Sequence, residues 1–125
     1  MEQIYFDHSA TTPIHPEVLG AMMSLFANRF GNPSSIHREG CFAREAVETA
    51  RCQVAALIGA DPAEIVFTSG GTEADNLAVL GSAFVQRERK NHLITSAIEH
   101  PAVEQACRHL AERGFAVTFL PVDGE

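Results

Sequence analysis

The stretch Ile65-Val66-Phe67-Thr68-Ser69-Gly70-Gly71-Thr72-Glu73-Ala74-Asp75-Asn76 decides the fold class. Residues 65–68 are apolar or β-branched without polar alternation, which is how a short strand buried on both faces reads. Ser69-Gly70-Gly71-Thr72 then breaks the run. From about Glu73 to Gln86 the spacing of Leu77, Leu80 and Phe84 predicts a helix with those three side chains inward. Arg87-Glu88-Arg89-Lys90-Asn91 predicts a solvated connection, and residues 93–96 the next strand. Pro101 suits the first turn of a helix carrying Val103, Ala106, Cys107 and Leu110. Gly114 closes that helix, and residues 115–120 form the following strand. Strand, helix, strand, helix, strand is the order of an α/β fold, a parallel sheet covered by helices.

On the amino-terminal side, residues 1–60 read as a strand and helix lead-in, and residues 61–125 as the first part of the α/β domain. Ile4-Tyr5-Phe6 is a short apolar stretch cut off by polar residues and Pro13. Pro16 starts a helix in which Val18, Met22 and Phe26 recur, with Leu19 and Met23 beside them. Turn residues mark Asn28-Arg29-Phe30-Gly31-Asn32-Pro33-Ser34-Ser35 as a loop. A longer helix is expected from about His37 to Ile58, with Ala43, Val47, Ala50, Val54 and Leu57 as its apolar stripe. Arg44 and Glu48, four apart on its outer face, are expected to pair. Gly59 stops the helix, and Asp61-Pro62-Ala63-Glu64 reads as a short capped turn.

Composition narrows the function classes. Of 125 residues, 46% are hydrophobic and 20% charged, ordinary values for a globular protein. The formal net charge is −7 with nine Lys plus Arg, so the basic face of a nucleic-acid binder is not expected. No apolar run reaches the length of a membrane span, and the amino terminus lacks a basic region followed by an apolar one. A cytoplasmic protein that avoids membranes is the expectation. Cys41, Cys52 and Cys107 are odd in number and far apart, a spacing that fits neither a disulfide framework nor a metal site. They read as small apolar thiols on helices in a reducing compartment.

In open parallel sheets, ligands bind beyond the carboxyl ends of the strands. Two polar clusters fall there: Ser69-Gly70-Gly71-Thr72 directly after one strand, and Glu99-His100-Pro101 shortly after the next. Paired glycines at a helix start can offer backbone N–H groups to a phosphate, with Thr72 adding a hydroxyl. The pattern lacks the spacing of a dinucleotide fingerprint and the Lys of a nucleotide P-loop. Local sequence equally allows a plain strand-to-helix turn with Thr72 as N-cap. His100 likewise reads either as a polar capping residue or as a flat ring stacked on an aromatic ligand.

Longer words carry a family resemblance. Tyr5-Phe6-Asp7-His8-Ser9-Ala10-Thr11-Thr12-Pro13, Gly31-Asn32-Pro33-Ser34-Ser35 with His37, Thr68 through Asn76, and Thr95-Ser96-Ala97-Ile98-Glu99-His100-Pro101-Ala102-Val103 resemble the amino-terminal part of the cysteine desulfurases of the NifS/IscS type. These enzymes belong to the class V aminotransferase family and depend on pyridoxal 5'-phosphate. The resemblance covers essentially the whole chain in order; position 8 is His where the family more often has Asn or Tyr. It implies part of the large domain of the aspartate-aminotransferase-like fold, a three-layer α/β/α arrangement, in which later strands separate the two that precede Ser69 and Ala97. It implies that Gly71 and Thr72 hold the cofactor phosphate. It also implies that His100 stacks on the cofactor ring and assists proton transfers, and that residues 9–12 line the substrate side. The reaction implied removes sulfur from L-cysteine, leaving L-alanine and an enzyme persulfide for iron–sulfur cluster assembly or other sulfur transfer. The partners implied are a sulfur acceptor or iron–sulfur scaffold protein and a second subunit in a homodimer. The family's Schiff-base lysine, the carboxylate facing the pyridine nitrogen and the sulfur-accepting cysteine match no position here, so the chain reads as an inactive amino-terminal piece. A selenocysteine lyase or aminotransferase of the same fold, or a non-catalytic binding or dimerisation piece, are the alternative readings; Glu99-His100-Pro101-Ala102-Val103 favours the desulfurase.

Overall fold

A computed structural model of the chain describes residues 4–123. They fall into two compact units, the first ending at Ile65 and the second beginning at Val66.

The first unit is helical. Helix α1 (Pro16–Asn28) opens on a proline whose missing N–H costs nothing in a first turn. Helix α2 (Arg38–Ile58) starts at His37, whose Nδ1 accepts from the Gly40 N–H at 3.3 Å. It ends at Gly59, where φ is 69°, a left-handed conformation that suits glycine. A side chain at Gly40 would collide with the Ser35 carbonyl, so glycine lets the preceding loop lie against the helix. Two guanidinium groups lie over the Phe42 ring, Arg29 at 4.4 Å and Arg38 at 5.4 Å from its centre. A 3₁₀ turn (Pro62–Glu64) follows and packs on α2. Its capping box is complete: Asp61 accepts from the Ala63 N–H, and Glu64 accepts from the Asp61 N–H, both at 2.8 Å.

Two expectations for this unit are corrected. The stripe of α2 is not buried: Val47 and Val54 are exposed and Leu57 is 84% exposed, while Gly40 and Ala55 are the residues that α2 buries. Helical periodicity identifies an apolar face but not what covers it, and nothing among the described residues of the first unit covers this one. The same holds for α1, which buries none of its residues. Nor does Arg44 pair with Glu48. Glu48 pairs with Arg51 at 3.1 Å, and Arg44 donates to Cys41 Sγ at 3.5 Å. A glutamate preceding its arginine along a helix is the better order for the helix dipole, and Arg51 also donates to the Ile65 carbonyl.

The second unit is α/β. Helix α3 (Gly71–Gln86) leads into strand β1 (His92–Ser96), helix α4 (Pro101–Glu112) and strand β2 (Ala116–Leu120). The strands pair in parallel, from His92 opposite Ala116 to Ser96 opposite Leu120. Helix α4 packs on both strands and on α3. Leu110, fully buried, forms the core with Ala83 and Phe115, and Val79, Leu80 and Leu93 close around it. Burying a leucine in this way contributes about 1.5–3 kcal/mol. The end of α4 is a Schellman turn: Gly114, with φ 88°, donates to the Ala111 carbonyl at 3.1 Å, and Phe115 donates to that of Leu110 at 3.1 Å. This turn is what returns Phe115 onto Leu110.

One expected strand is absent. Ile65 has extended angles, φ −88° and ψ 124°, yet residues 65–68 join no sheet; among the described residues the sheet is β1 and β2 alone. A β-strand exists through its neighbours, because isolated backbone cannot satisfy a ladder. The strands that the resemblance sets between this segment and β1 are not in this sequence.

Candidate functional site

The second unit holds both clusters singled out in the sequence. Helix α3 reaches β1 through a short turn at residues 87–91, and α4 reaches β2 through Arg113, Gly114 and Phe115. The strands are parallel and adjacent. Helix α4 runs back against the strands with α3 packed on it, and the carboxyl ends of both helices meet at the strands' amino ends. The Arg87 guanidinium donates to the Arg113 carbonyl at 3.3 Å there, and the Ala116 N–H donates to the Asn91 carbonyl at 2.8 Å. With 16 and 12 residues, α3 and α4 are about 24 and 18 Å long at 1.5 Å per residue, so their amino ends share the opposite, carboxyl end of the sheet. Gly71, Thr72 and His100 all lie at that end, and all three are exposed.

At the first cluster, Gly70 is the N-cap and Gly71 and Thr72 are the first two helical residues. The N-cap reading of Thr72 is thus corrected: the cap is Gly70, two positions earlier. No side chain caps α3. The N–H groups of Gly71 and Thr72 are first-turn donors with no partner inside the helix. Neither glycine is required by the chain's own packing: an added Cβ would meet nothing within 4 Å at either, and φ at Gly70 is an extended 165°. The room that they leave is on the outside of the turn. The Asn76 side chain donates to the Thr72 carbonyl at 2.8 Å and Thr68 Oγ1 to the Gly70 carbonyl at 3.2 Å, fixing the turn from two directions. Polar N–H donors at a helix start, with open space before them, suit a phosphate.

Sequence reading missed the contribution of Glu73. Its Oε2 accepts from the Ser69 N–H at 2.7 Å and from Ser69 Oγ at 2.6 Å. The Ser69 hydroxyl, and then the Ser69 N–H, hold the Glu73 carboxyl below its ordinary value of 4.5. These bonds favour the ionised form, so they are complete at neutral pH and are lost only as pH falls through that lowered value. The available signal was a glutamate at the third helical position, where carboxylates reach back across a helix start.

His100 is the N-cap of α4, and its Nδ1 accepts from the Ala102 N–H at 3.1 Å. The capping reading is what the geometry shows, and it does not consume the ring. With Nδ1 an acceptor, the proton of the neutral imidazole sits on Nε2, which faces away from the cap. Beside it, Ser96 Oγ donates to Glu99 Oε1 at 3.1 Å. Residues 9–12 belong to the first unit; there Ser9 Oγ donates to Asp7 Oδ1 at 3.3 Å, and Tyr5 and His8 meet edge to face at 5.0 Å. Among the described residues no helix is long and apolar enough to cross a membrane.

Known proteins share this sequence and backbone. Residues 4–125 match the family described as Aminotransferase class-V. The protein named cysteine desulfurase IscS of Rickettsia massiliae is 52% identical over 120 residues, covering 95% of this chain and 29% of its own length. Among solved structures, a NifS-like protein superposes with a TM-score of 0.89 at 39% identity, covering 98% of this chain and 34% of that one. A structure described as SspA in complex with cysteine gives a TM-score of 0.83 at 46% identity, over 93% of this chain and 33% of that one. The chain spans about a third of the length of the proteins that it matches. An uncapped helix start and a histidine-capped one at the same end of a parallel sheet thus sit in a chain that belongs to the class V aminotransferase family and is similar to the proteins named IscS and NifS-like.

Proposed function

We propose that this chain supplies the phosphate end of the cofactor site in a pyridoxal-phosphate-dependent cysteine desulfurase. The observation that carries the reading is the uncapped start of α3, with Gly71 and Thr72 at the same end of the sheet as His100. The donor set fits the group: backbone N–H groups and a hydroxyl suit a phosphate dianion, and a flat imidazole suits an aromatic ring. When bound, the cofactor supplies an electron sink for carbanion chemistry on an amino acid. The Gly71 and Thr72 N–H groups and the Thr72 hydroxyl bind the phosphate. The His100 ring orients the pyridine by stacking, and its Nε2–H donates a hydrogen bond that assists proton transfer at the substrate side. Because the cap fixes Nδ1 as an acceptor, the ring keeps its plane and presents Nε2 as an N–H donor.

The substrate is L-cysteine, in keeping with the names of the relatives and with the cysteine bound by one structural neighbour. The products are L-alanine and a persulfide, passed to an iron–sulfur scaffold or another sulfur acceptor, in a cytoplasmic homodimer. Residues 61–125 serve as the first part of the cofactor-binding domain and residues 1–60 as its lead-in. The test is cofactor affinity in an enzyme of the relatives' full length that carries this segment. Thr72→Val removes one hydroxyl donor and is expected to weaken pyridoxal-phosphate binding about tenfold with the far-ultraviolet spectrum unchanged. Unaltered affinity in that variant would refute the phosphate assignment.

A further inference from the structure

We propose that Glu73 is a positioning residue whose carboxylate clamps Ser69 and so fixes the glycine turn with its Gly71 and Thr72 donors free for a phosphate, an assignment that rests on the function proposed above. Two adjacent glycines have the widest backbone freedom in the chain, and ordering them costs more than ordering other residues. Here neither is held by packing, since a Cβ at Gly70 or Gly71 would touch nothing within 4 Å. The turn has to be tethered from outside. Its downstream side is tethered by the first helical bond, from the Ala74 N–H to the Gly70 carbonyl at 3.1 Å. Its upstream side is tethered by Glu73, which takes both donors of Ser69 on a single oxygen, at 2.7 and 2.6 Å.

Charge explains why the carboxylate points that way. A carboxylate in the first turn of a helix complements the dipole, but the same charge turned toward the open N–H groups would occupy the place of a phosphate and repel it. Aimed back at Ser69, it is engaged by two donors and leaves the others alone. Ser69 is accordingly removed from the set of phosphate ligands, although its hydroxyl lies within the Ser-Gly-Gly-Thr word. The ligand class served is a phosphomonoester, and Glu73 never touches it.

The phosphate end can be isolated by comparing two ligands, pyridoxal 5'-phosphate and pyridoxal, titrated by absorbance and fluorescence in the full-length enzyme. Glu73→Ala is expected to weaken binding of the phosphorylated ligand about tenfold and to leave pyridoxal unchanged. Glu73→Gln keeps an acceptor oxygen in reach of the Ser69 N–H and is expected to restore most of the loss. Ser69→Ala, a milder change that serves if the alanine variant at 73 does not fold, is expected to weaken only the phosphorylated ligand. Placed in the Glu73→Ala background it should add nothing further, because the two side chains act through one contact. Equal weakening of both ligands would show a general structural role and overturn the proposal. No effect at 73 together with a selective loss in Thr72→Val would overturn it and leave the phosphate site standing. If Thr72→Val also failed to discriminate the two ligands, the site assignment itself would fall, and the proposal with it.

Discussion

Cys107 shows how far a side chain's surroundings decide its chemistry. It is buried against the core of the second unit, and burial pushes its thiol above the ordinary value of 9.0. A hydrogen bond with Thr95 opposes that shift, and the Glu99 charge adds to it. Thiolates react and thiols do not, so Cys107 is poorly nucleophilic at neutral pH, whereas Cys41 and Cys52 are exposed. Alkylation by iodoacetamide at pH 7.5 or so, followed by peptide mapping, should modify Cys41 and Cys52 well before Cys107; equal rates in the folded protein would contradict this account. A helix-borne apolar thiol is what the sequence around Cys107 predicts. The raised thiol is not readable there, because Thr95 and Glu99 come from β1 and the turn after it. Glu73 is the opposite case, with both partner atoms on a residue four positions away. Its contact is local, so the spacing carried a signal, a carboxylate at the third helical position, but not which residue it would reach.

At the level of elements, local punctuation was the reliable part of the sequence. His37 and Gly59 bound α2, and Pro101 and Gly114 bound α4, because caps and stops act within a few residues. Residues 65–68 went the other way: their composition is that of a strand, but pairing depends on segments distant in the chain. The order of elements also settles the part played by Lys90, the one lysine in the sequence. It stands in the turn before β1, with its N–H donating to the Gln86 carbonyl at 2.7 Å, at the amino end of the strand. Gly71, Thr72 and His100 lie at the carboxyl end. A strand of five residues at about 3.3 Å each separates the two ends by roughly 16 Å, beyond the comfortable reach of a lysine that must also shed its water. Borohydride reduction of this chain with pyridoxal phosphate at low ratio should therefore give no saturable, stoichiometric label on Lys90. Such a label, accompanied by alanine formation from cysteine, would show that the 125 residues hold a complete site.

For the molecule as a whole the surface area is decisive. The chain exposes 10202 Å². A folded monomer of 13.5 kDa is expected to expose about 6,500 Å², and even two independent globules of half that mass would together expose only about 7,900 Å². The excess includes large apolar side chains such as Phe6, Phe30, Ile36, Leu57 and Val85, each more than four-fifths exposed. Apolar surface on this scale calls for a cover. Expressed by itself, the chain should bind a hydrophobic dye, melt over a broad range and tend to aggregate; a monodisperse monomer with a sharp calorimetric transition would refute this. None of it was visible in the composition, which is that of an ordinary globular protein, because composition counts apolar residues without saying what they face. The Schellman turn that returns Phe115 onto Leu110 has a consequence in time. The core it completes joins Ala83 to Phe115 across β1 and α4, so its contacts are long-range along the chain and close only after Phe115 has been made. At a synthesis rate of about 5–20 residues per second that interval emerges in roughly 2–6 seconds. Until Phe115 is in place Leu110 and Ala83 lack their cover, and that is the interval in which a chaperone has something to hold.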